Sequence, residues 1–185
     1  AYSLYNIITP KVGLSYIENM NFSKIVQQDY TLSSGLGGLH HGTNTVEMAN
    51  AYSTLENHGE YRQADCISSI LDASGNEIYE EPESKTVYTR SASDQMTDIL
   101  EGVLNSSAGT AKGLKWSSAS DVAAAAKTGT TNDNNVAWFC GYTPYYTISV
   151  WVGYDYPKSV KGLWGNTYPA YIWKEAMLYM IDGKD

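Results

Sequence analysis

Apolar residues recur with a helical period in three parts of the chain. Met96, Ile99, Leu100, Val103 and Leu104 fall at i, i+3, i+4, i+7 and i+8, so residues 93–104 are expected to form an amphipathic helix. Ile172, Trp173, Ala176, Met177 and Met180 place a similar stripe on a helix over 169–180, with Thr167 as its cap and Pro169 in its first turn. Residues 44–55 form a third helix, in which Asn44 and Glu47 have the spacing of a capping box and His58-Gly59 ends the run. Leu4, Tyr5 and Ile8 suit the tail of a helix over 1–8, punctuated by Pro10 and Gly13, with another short helix over 13–20. Residues 32–42 are glycine-rich and without period, which predicts a loop.

Strand signals dominate elsewhere. Residues 122–130, 136–142 and 146–154 are rich in small, β-branched and aromatic side chains, and turn residues at 132–135 and 143–145 separate them. Consecutive strands joined by short turns pair antiparallel. Residues 67–71 and 77–79 flank Asp72-Ala73-Ser74-Gly75-Asn76 and are expected to form a hairpin, followed by an acidic, proline-containing surface loop over 80–84. An antiparallel sheet flanked by helices, one of them terminal, is an α+β arrangement.

Composition narrows the class. The 185 residues, 43% of them hydrophobic, can bury one sizeable core. The net charge of −8 argues against nucleic acid or an anionic membrane surface as partner. No apolar run approaches the roughly 20 residues of a membrane span, and no signal peptide opens the chain. The sequence begins Ala1-Tyr2-Ser3-Leu4 without a start methionine, so it is expected to be part of something longer. Sixteen tyrosines and five tryptophans could line a polymer-binding groove, but core and strand surfaces account for most of them. Two cysteines and three scattered histidines show no zinc-ligand spacing. His40-His41 beside Gly42 reads better as a solvated turn than as a metal site, and Cys140 as a small hydrophobe in a strand. No cofactor or metal is expected.

The segment Lys127-Thr128-Gly129-Thr130-Thr131 carries the chemistry. Side chains alternate along a strand, so Thr128 and Thr130 share a face and offer two hydroxyls to one ligand, such as a carboxylate. Lys127 points the other way, where its amine can donate to a neighbouring hydroxyl. Gly129 lets other backbone or a substrate approach closely. On an outer strand, the N–H of Thr130 could face a developing oxyanion, a donor worth roughly 10²–10³ in rate. Lys-Thr-Gly alone is a common tripeptide, and a strand-edge lysine in a turn-rich region explains it better than a site does.

The flanking residues change that balance. The motif continues into Ala137-Trp138-Phe139-Cys140-Gly141-Tyr142-Thr143-Pro144 and Tyr146-Thr147-Ile148-Ser149-Val150-Trp151-Val152-Gly153-Tyr154-Asp155. Upstream stand Val46-Glu47-Met48-Ala49-Asn50-Ala51-Tyr52, Asn57-His58-Gly59, Gln95-Met96-Thr97-Asp98-Ile99-Leu100 and Gly109-Thr110-Ala111. With Lys-Thr-Gly as a signature of serine penicillin-interacting enzymes, nearly the whole chain resembles the C-terminal part of the transpeptidase domain of class A penicillin-binding proteins. The resemblance implies the penicillin-binding, serine β-lactamase-like fold, with residues 1–185 as the C-terminal portion of one domain. It implies a D,D-transpeptidase that cross-links peptidoglycan stem peptides through a serine acyl-enzyme and is inhibited by β-lactam antibiotics. It places the parent protein at the extracytoplasmic face of the bacterial membrane, held only by an anchor outside this sequence. Lys127 would hydrogen-bond a proton-relay serine. Thr128, Gly129 and Thr130 would bind the substrate carboxylate, and the Thr130 N–H would form half of an oxyanion hole. A glycine commonly precedes Lys-Thr-Gly in the family, whereas Ala126 stands here.

The family's nucleophile motif is missing. No serine is followed by lysine three residues later, so Ser-x-x-Lys is absent. The only Ser-x-Asn, Ser74-Gly75-Asn76, falls in the predicted hairpin turn, where those residues serve turn geometry. The N-terminal portion of the domain is therefore expected as a second polypeptide partner, and the chain alone is expected to be inactive. A β-lactamase-like hydrolase is the nearest rival, but Glu47, the only glutamate in an upstream motif, is explained by its helix-cap position. A non-catalytic β-lactam sensor and a glycan-binding aromatic module are the remaining alternatives.

Overall fold

Turn chemistry decides where the sheet forms. In the computed structural model, which describes residues 2–184, Asn134 adopts a φ of 53°, and the Thr143 hydroxyl accepts from the N–H groups of Tyr145 and Tyr146. These two reversals fold residues 125–153 back and forth. In chain order the elements are helices α1 (Tyr2–Ile8), α2 (Pro10–Asn19) and α3 (Thr45–Glu56), strands β1 (Glu60–Tyr61) and β2 (Lys85–Thr86), helix α4 (Arg90–Asn105), strands β3 (Ala125–Thr130), β4 (Val136–Tyr142) and β5 (Thr147–Gly153), and helix α5 (Tyr168–Met180). The strands β3, β4 and β5 form one antiparallel sheet in that order, so β3 is an edge among the described residues. Lys127 lies opposite Cys140, and Cys140 opposite Ser149.

Strand alternation sends β3 residues to two different layers. Ala126 joins Phe139, Trp116, Trp173 and Met177 in the core under α5. Ala125 joins Leu100 and Tyr142, with Tyr52 and Leu55 of α3 packed alongside. The sheet is thus sandwiched between α5 and the α3–α4 pair. Trp173 anchors the first layer. It is fully buried, its ring centroid lies 5.1 Å from those of both Trp116 and Phe139, and its indole N–H donates to the Gly141 carbonyl at 3.1 Å. An aromatic of this kind buries about 150–250 Å², worth about 4–6 kcal/mol of transfer free energy at 25 cal/mol per Å². Gly141 is what admits it: a Cβ there would lie 2.9 Å from the indole ring.

Several elements depart from the sequence reading. β3 begins at Ala125, because β4 turns away at Thr143 and residues 122–124 have no strand to pair with. Helix α2 starts at Pro10, whose fixed φ and missing N–H suit a first turn. Gly13 lies inside it, where a Cβ would collide with the hydroxyl end of the Tyr5 ring; Gly35 lies against the other end of the same side chain. That contact explains part of the 32–42 loop, of which Leu32–Leu36 forms a 3₁₀ turn. The 67–79 segment is not a ladder. It has one bridge, Leu71 to Glu77, and Asp72 accepts from Ser74 N–H, Asn76 N–H and the Asn76 amide. Its apolar residues Ile67, Ile70, Leu71 and Ile78 are exposed, so no packed face supports a longer pairing; the ladder forms further out, between β1 and β2. On α5 the buried stripe is Ala170, Trp173 and Met177, with Ile181 just beyond, while Ile172 and Met180 are exposed. On α4 Leu100 and Leu104 are buried, whereas Met96 and Ile99 face outward. The Thr167 hydroxyl donates back to the 162–164 turn and caps no helical N–H.

Candidate active site on the edge of β3

The backbone of β3 divides its polar groups by position. Thr131 N–H donates to the Val136 carbonyl, and hydrogen-bonded pairs alternate along an antiparallel ladder. With Gly129 opposite Trp138 and Lys127 opposite Cys140, residues 125, 127 and 129 turn their N–H and C=O towards β4. Residues 126, 128 and 130 turn theirs to the open edge. The N–H of Thr130 is therefore a donor pointing out of the sheet, without a partner among the described residues.

The side chains sort in the same way. Thr128 and Thr130 lie on the α5 side. The Thr128 and Thr110 hydroxyl oxygens are 2.8 Å apart, and the Thr130 hydroxyl accepts from Gly165 N–H at 2.9 Å. The Asn166 amide donates to the Thr110 carbonyl at 2.9 Å. These residues, with half-exposed Trp164, line a cavity of about 320 Å³. The backbone that comes close to Gly129 is that of Gly165: a Cβ on Gly165 would lie 2.7 Å from the Gly129 carbonyl oxygen.

Lys127 emerges on the α3–α4 side. Its ammonium donates to the edge-facing Thr128 carbonyl at 2.7 Å. It stands at the end of an apolar cavity of about 500 Å³ walled by Tyr52, Leu55, Met96 and Ile99 among others. The opposite end of this side differs in charge. There Glu56, Asp94, Asp98 and Glu101 line a cavity of about 340 Å³ with His58, and burial raises the Glu56 pKa against a smaller opposing pull from His58. An anionic ligand is repelled there and attracted to the Lys127 end.

Other polar residues are engaged in structure. Burial pushes the Cys140 thiol up to about 11, so it is not a nucleophile at neutral pH. Asp29, almost fully buried, accepts from the N–H groups of Val26 and His40; the His40-His41 turn is thus held through its backbone. Glu47 accepts from Ser23 N–H, the Ser23 hydroxyl and the Thr43 hydroxyl, while Asn44 caps the Glu47 N–H. Only half of the expected capping box forms, and the carboxylate instead ties residue 23 to α3. Burial alone would raise its pKa, but these hydrogen bonds outweigh burial and hold it below the ordinary value. Ser74 sits in the Asp72 turn described above.

Residues 13–178 match the family described as the penicillin binding protein transpeptidase domain. The chain belongs to that family. It is 35% identical over 163 residues to penicillin-binding protein 4 of Bacillus subtilis, covering 88% of this chain and 25% of that protein. It is 35% identical over 177 residues to penicillin-binding protein 1A of Clostridium botulinum, covering 92% and 21%. The chain therefore spans about a quarter or less of the length of these relatives. Its fold is that of penicillin-binding protein 1A from Haemophilus influenzae, with a TM-score of 0.83 at 17% identity, over 100% of this chain and 32% of that one. A penicillin-binding protein of Mycobacterium tuberculosis in complex with penicillin V superposes with a TM-score of 0.72 at 23% identity, over 91% and 49%.

Within this transpeptidase-family chain, sequence reasoning singled out the strand but assigned no part to Thr110, Gly165 or Asn166. Gly109-Thr110-Ala111 was a usable signal. Gly109 is needed because a Cβ would lie 2.4 Å from the Gly102 carbonyl, and this close approach to α4 is what sets Thr110 beside Thr128.

Proposed function

We propose that this chain provides the substrate-carboxylate and oxyanion side of a peptidoglycan D,D-transpeptidase, and that the serine nucleophile and relay serine belong to a polypeptide portion outside these 185 residues. In the proposed reaction the serine oxygen attacks the carbonyl between the two terminal D-alanines of a stem peptide. The Thr130 N–H and the nucleophile's own N–H hold the oxyanion. The C–N bond breaks, the departing D-alanine amine takes up the relayed proton, and an ester remains on the serine. The amine of a second stem peptide then attacks that ester, forms the cross-link amide and releases the serine. A β-lactam follows the first step, but its leaving amine stays tethered. Thr128 and Thr130 receive the carboxylate, and Lys127 supplies positive charge and a donor to the relay serine. The work takes place outside the cytoplasmic membrane; among the described residues no helix is long and apolar enough to cross one.

The observation that carries this reading is the convergence on one open strand edge of an outward-pointing Thr130 N–H, two threonine hydroxyls and a lysine ammonium, in a chain of the penicillin-binding transpeptidase family. The apolar surface of Tyr52, Leu55, Met96 and Ile99 beside Lys127 supports a nucleophile-bearing element seated on that side. The hydrolase alternative loses its glutamate, because Glu47 is committed to Ser23 and Thr43.

Co-expression with a nucleophile-bearing N-terminal portion tests the proposal. A fluorescent penicillin should label the partner polypeptide and leave this chain unlabelled. Lys127→Ala should slow labelling at least about tenfold, the worth of a hydrogen bond to a charged group. A covalent adduct on the purified 185-residue chain, or a Lys127→Ala rate within twofold of wild type, would refute it.

A further inference from the structure

We infer that Thr110 and the 163–167 loop are positioning residues that aim both strand hydroxyls outward as donors, which makes the site selective for a ligand with a free carboxylate. The inference rests on the reading of Thr128 and Thr130 as the carboxylate subsite.

A threonine hydroxyl has one proton and two acceptor lone pairs. At Thr130 the Gly165 N–H occupies an acceptor side, so the hydroxyl proton is left for a ligand. At Thr128 the partner is the Thr110 hydroxyl at 2.8 Å. When Thr110 donates, the Thr128 proton is also left for a ligand, and an anion selects that arrangement. The result is a chain from Thr110 through Thr128 to the carboxylate, in which each bond polarises the next. Without a carboxylate nothing selects that direction.

Thr110 is held firmly enough for this task. Its carbonyl accepts from Asn166, Ala111 N–H donates to the Val103 carbonyl of α4, and Gly109 lies against the α4 backbone. Two segments far apart in sequence, one after α4 and one before α5, thus meet on the α5-side face of β3 and hold each other there. Neither Gly165 nor Asn166 needs to touch the ligand to act. Trp164, half-exposed, lines the same cavity.

The test compares second-order acylation of the assembled domain by benzylpenicillin and by its methyl ester, which lacks the carboxylate. Thr110→Val should slow the acid about tenfold and leave the ester within twofold. Thr110→Ser, which keeps the hydroxyl, should restore the acid rate. Asn166→Ala should reduce the acid-to-ester ratio in the same direction. Thr110 is exposed, and an unchanged melting temperature in each variant accompanies the expected result. Equal losses on both compounds, or no loss on either, overturn the inference while leaving the transpeptidase reading intact. A wild-type domain acylated by neither compound overturns that reading, and this inference with it.

Discussion

Gly165→Ala should disable the site through one methyl group. In the structure an added Cβ would lie 2.7 Å from the Gly129 carbonyl oxygen, 2.9 Å from the Gly129 nitrogen and 2.9 Å from the Thr128 Cβ. Two of these three neighbours are backbone atoms of a strand paired along its length, so the loop must move rather than the strand. Reaching ordinary contact distance requires a displacement of roughly 0.7 Å. The Gly165 N–H to Thr130 hydroxyl bond, 2.9 Å long, would stretch to about 3.6 Å, beyond the range in which it counts as a bond. Overpacking costs about 1–3 kcal/mol and the lost hydrogen bond about 0.5–1.5, so the assembled domain should lose about 2–4 kcal/mol. At this chain length each kcal/mol lowers Tm by about 2–4 °C. β-Lactam acylation should slow about tenfold or more as the hydroxyl loses its fixed direction. Gly113→Ala is the control: a Cβ there meets nothing within 4 Å, and both quantities should stay at wild-type values. Calorimetry and stopped-flow acylation read the two effects. A Gly165→Ala domain with unchanged Tm and unchanged acylation would refute the claim that the loop is packed against β3.

Two further outcomes follow from the core and the first helices. Trp173→Ala should cost about 3–5 kcal/mol in urea unfolding, and Trp173→Phe about 0.5–1.5, because it removes the indole donor from the Gly141 carbonyl and leaves that carbonyl its ladder bond to β5; an unshifted midpoint for Trp173→Ala would dismiss this residue as the anchor of α5. Glu47 has a depressed pKa in the folded chain, so its contribution is present above the unfolded carboxylate pKa, near 4.3, and disappears as pH falls through the lower folded value. Glu47→Gln should therefore cost about 1 kcal/mol at pH 7 and progressively less as pH falls below the ordinary carboxylate range, read from urea midpoints, and a cost that does not change with pH would contradict the assignment.

The legible parts of this fold were those decided locally. Strand β4 and the turn before it stand where Asn132–Asn135 and the aromatic run put them, and the helix over residue 100 forms where its apolar period put it, although only Leu100 and Leu104 of that stripe are buried. The start of β3 was hidden, because the run of alanines from Ala123 to Ala126 looks alike inside and outside a strand. What ends the ladder at Ala125 is the turn at Thr143 on the partner strand. On α5, Ile172, Ala176 and Met180 are as apolar as Trp173 and Met177, and only the position of the sheet chooses the second set. The site divides in the same way. Lys127, Thr128 and Thr130 are neighbours whose alternation can be read directly. Thr110 and Gly165 reach them from 18 and 35 residues along the chain, Asn166 holds Thr110 across 56, and residue type alone carries no sign of such meetings.

The alternation along β3 also limits how this protein can vary. Thr130 gives its hydroxyl to one layer and its N–H to the open edge, and both depend on its being an even count from Ala126. Substitutions can tune charge and shape one position at a time without disturbing that count. Loss or gain of a single residue between Ala126 and Lys127 would exchange every assignment at once. Lysine would be driven towards α5, the threonines towards α3 and α4, and the oxyanion donor into the ladder. Length within this hexapeptide is therefore under stricter constraint than identity, and inherited insertions should be confined to the turns and to the exposed segments 62–84 and 155–162.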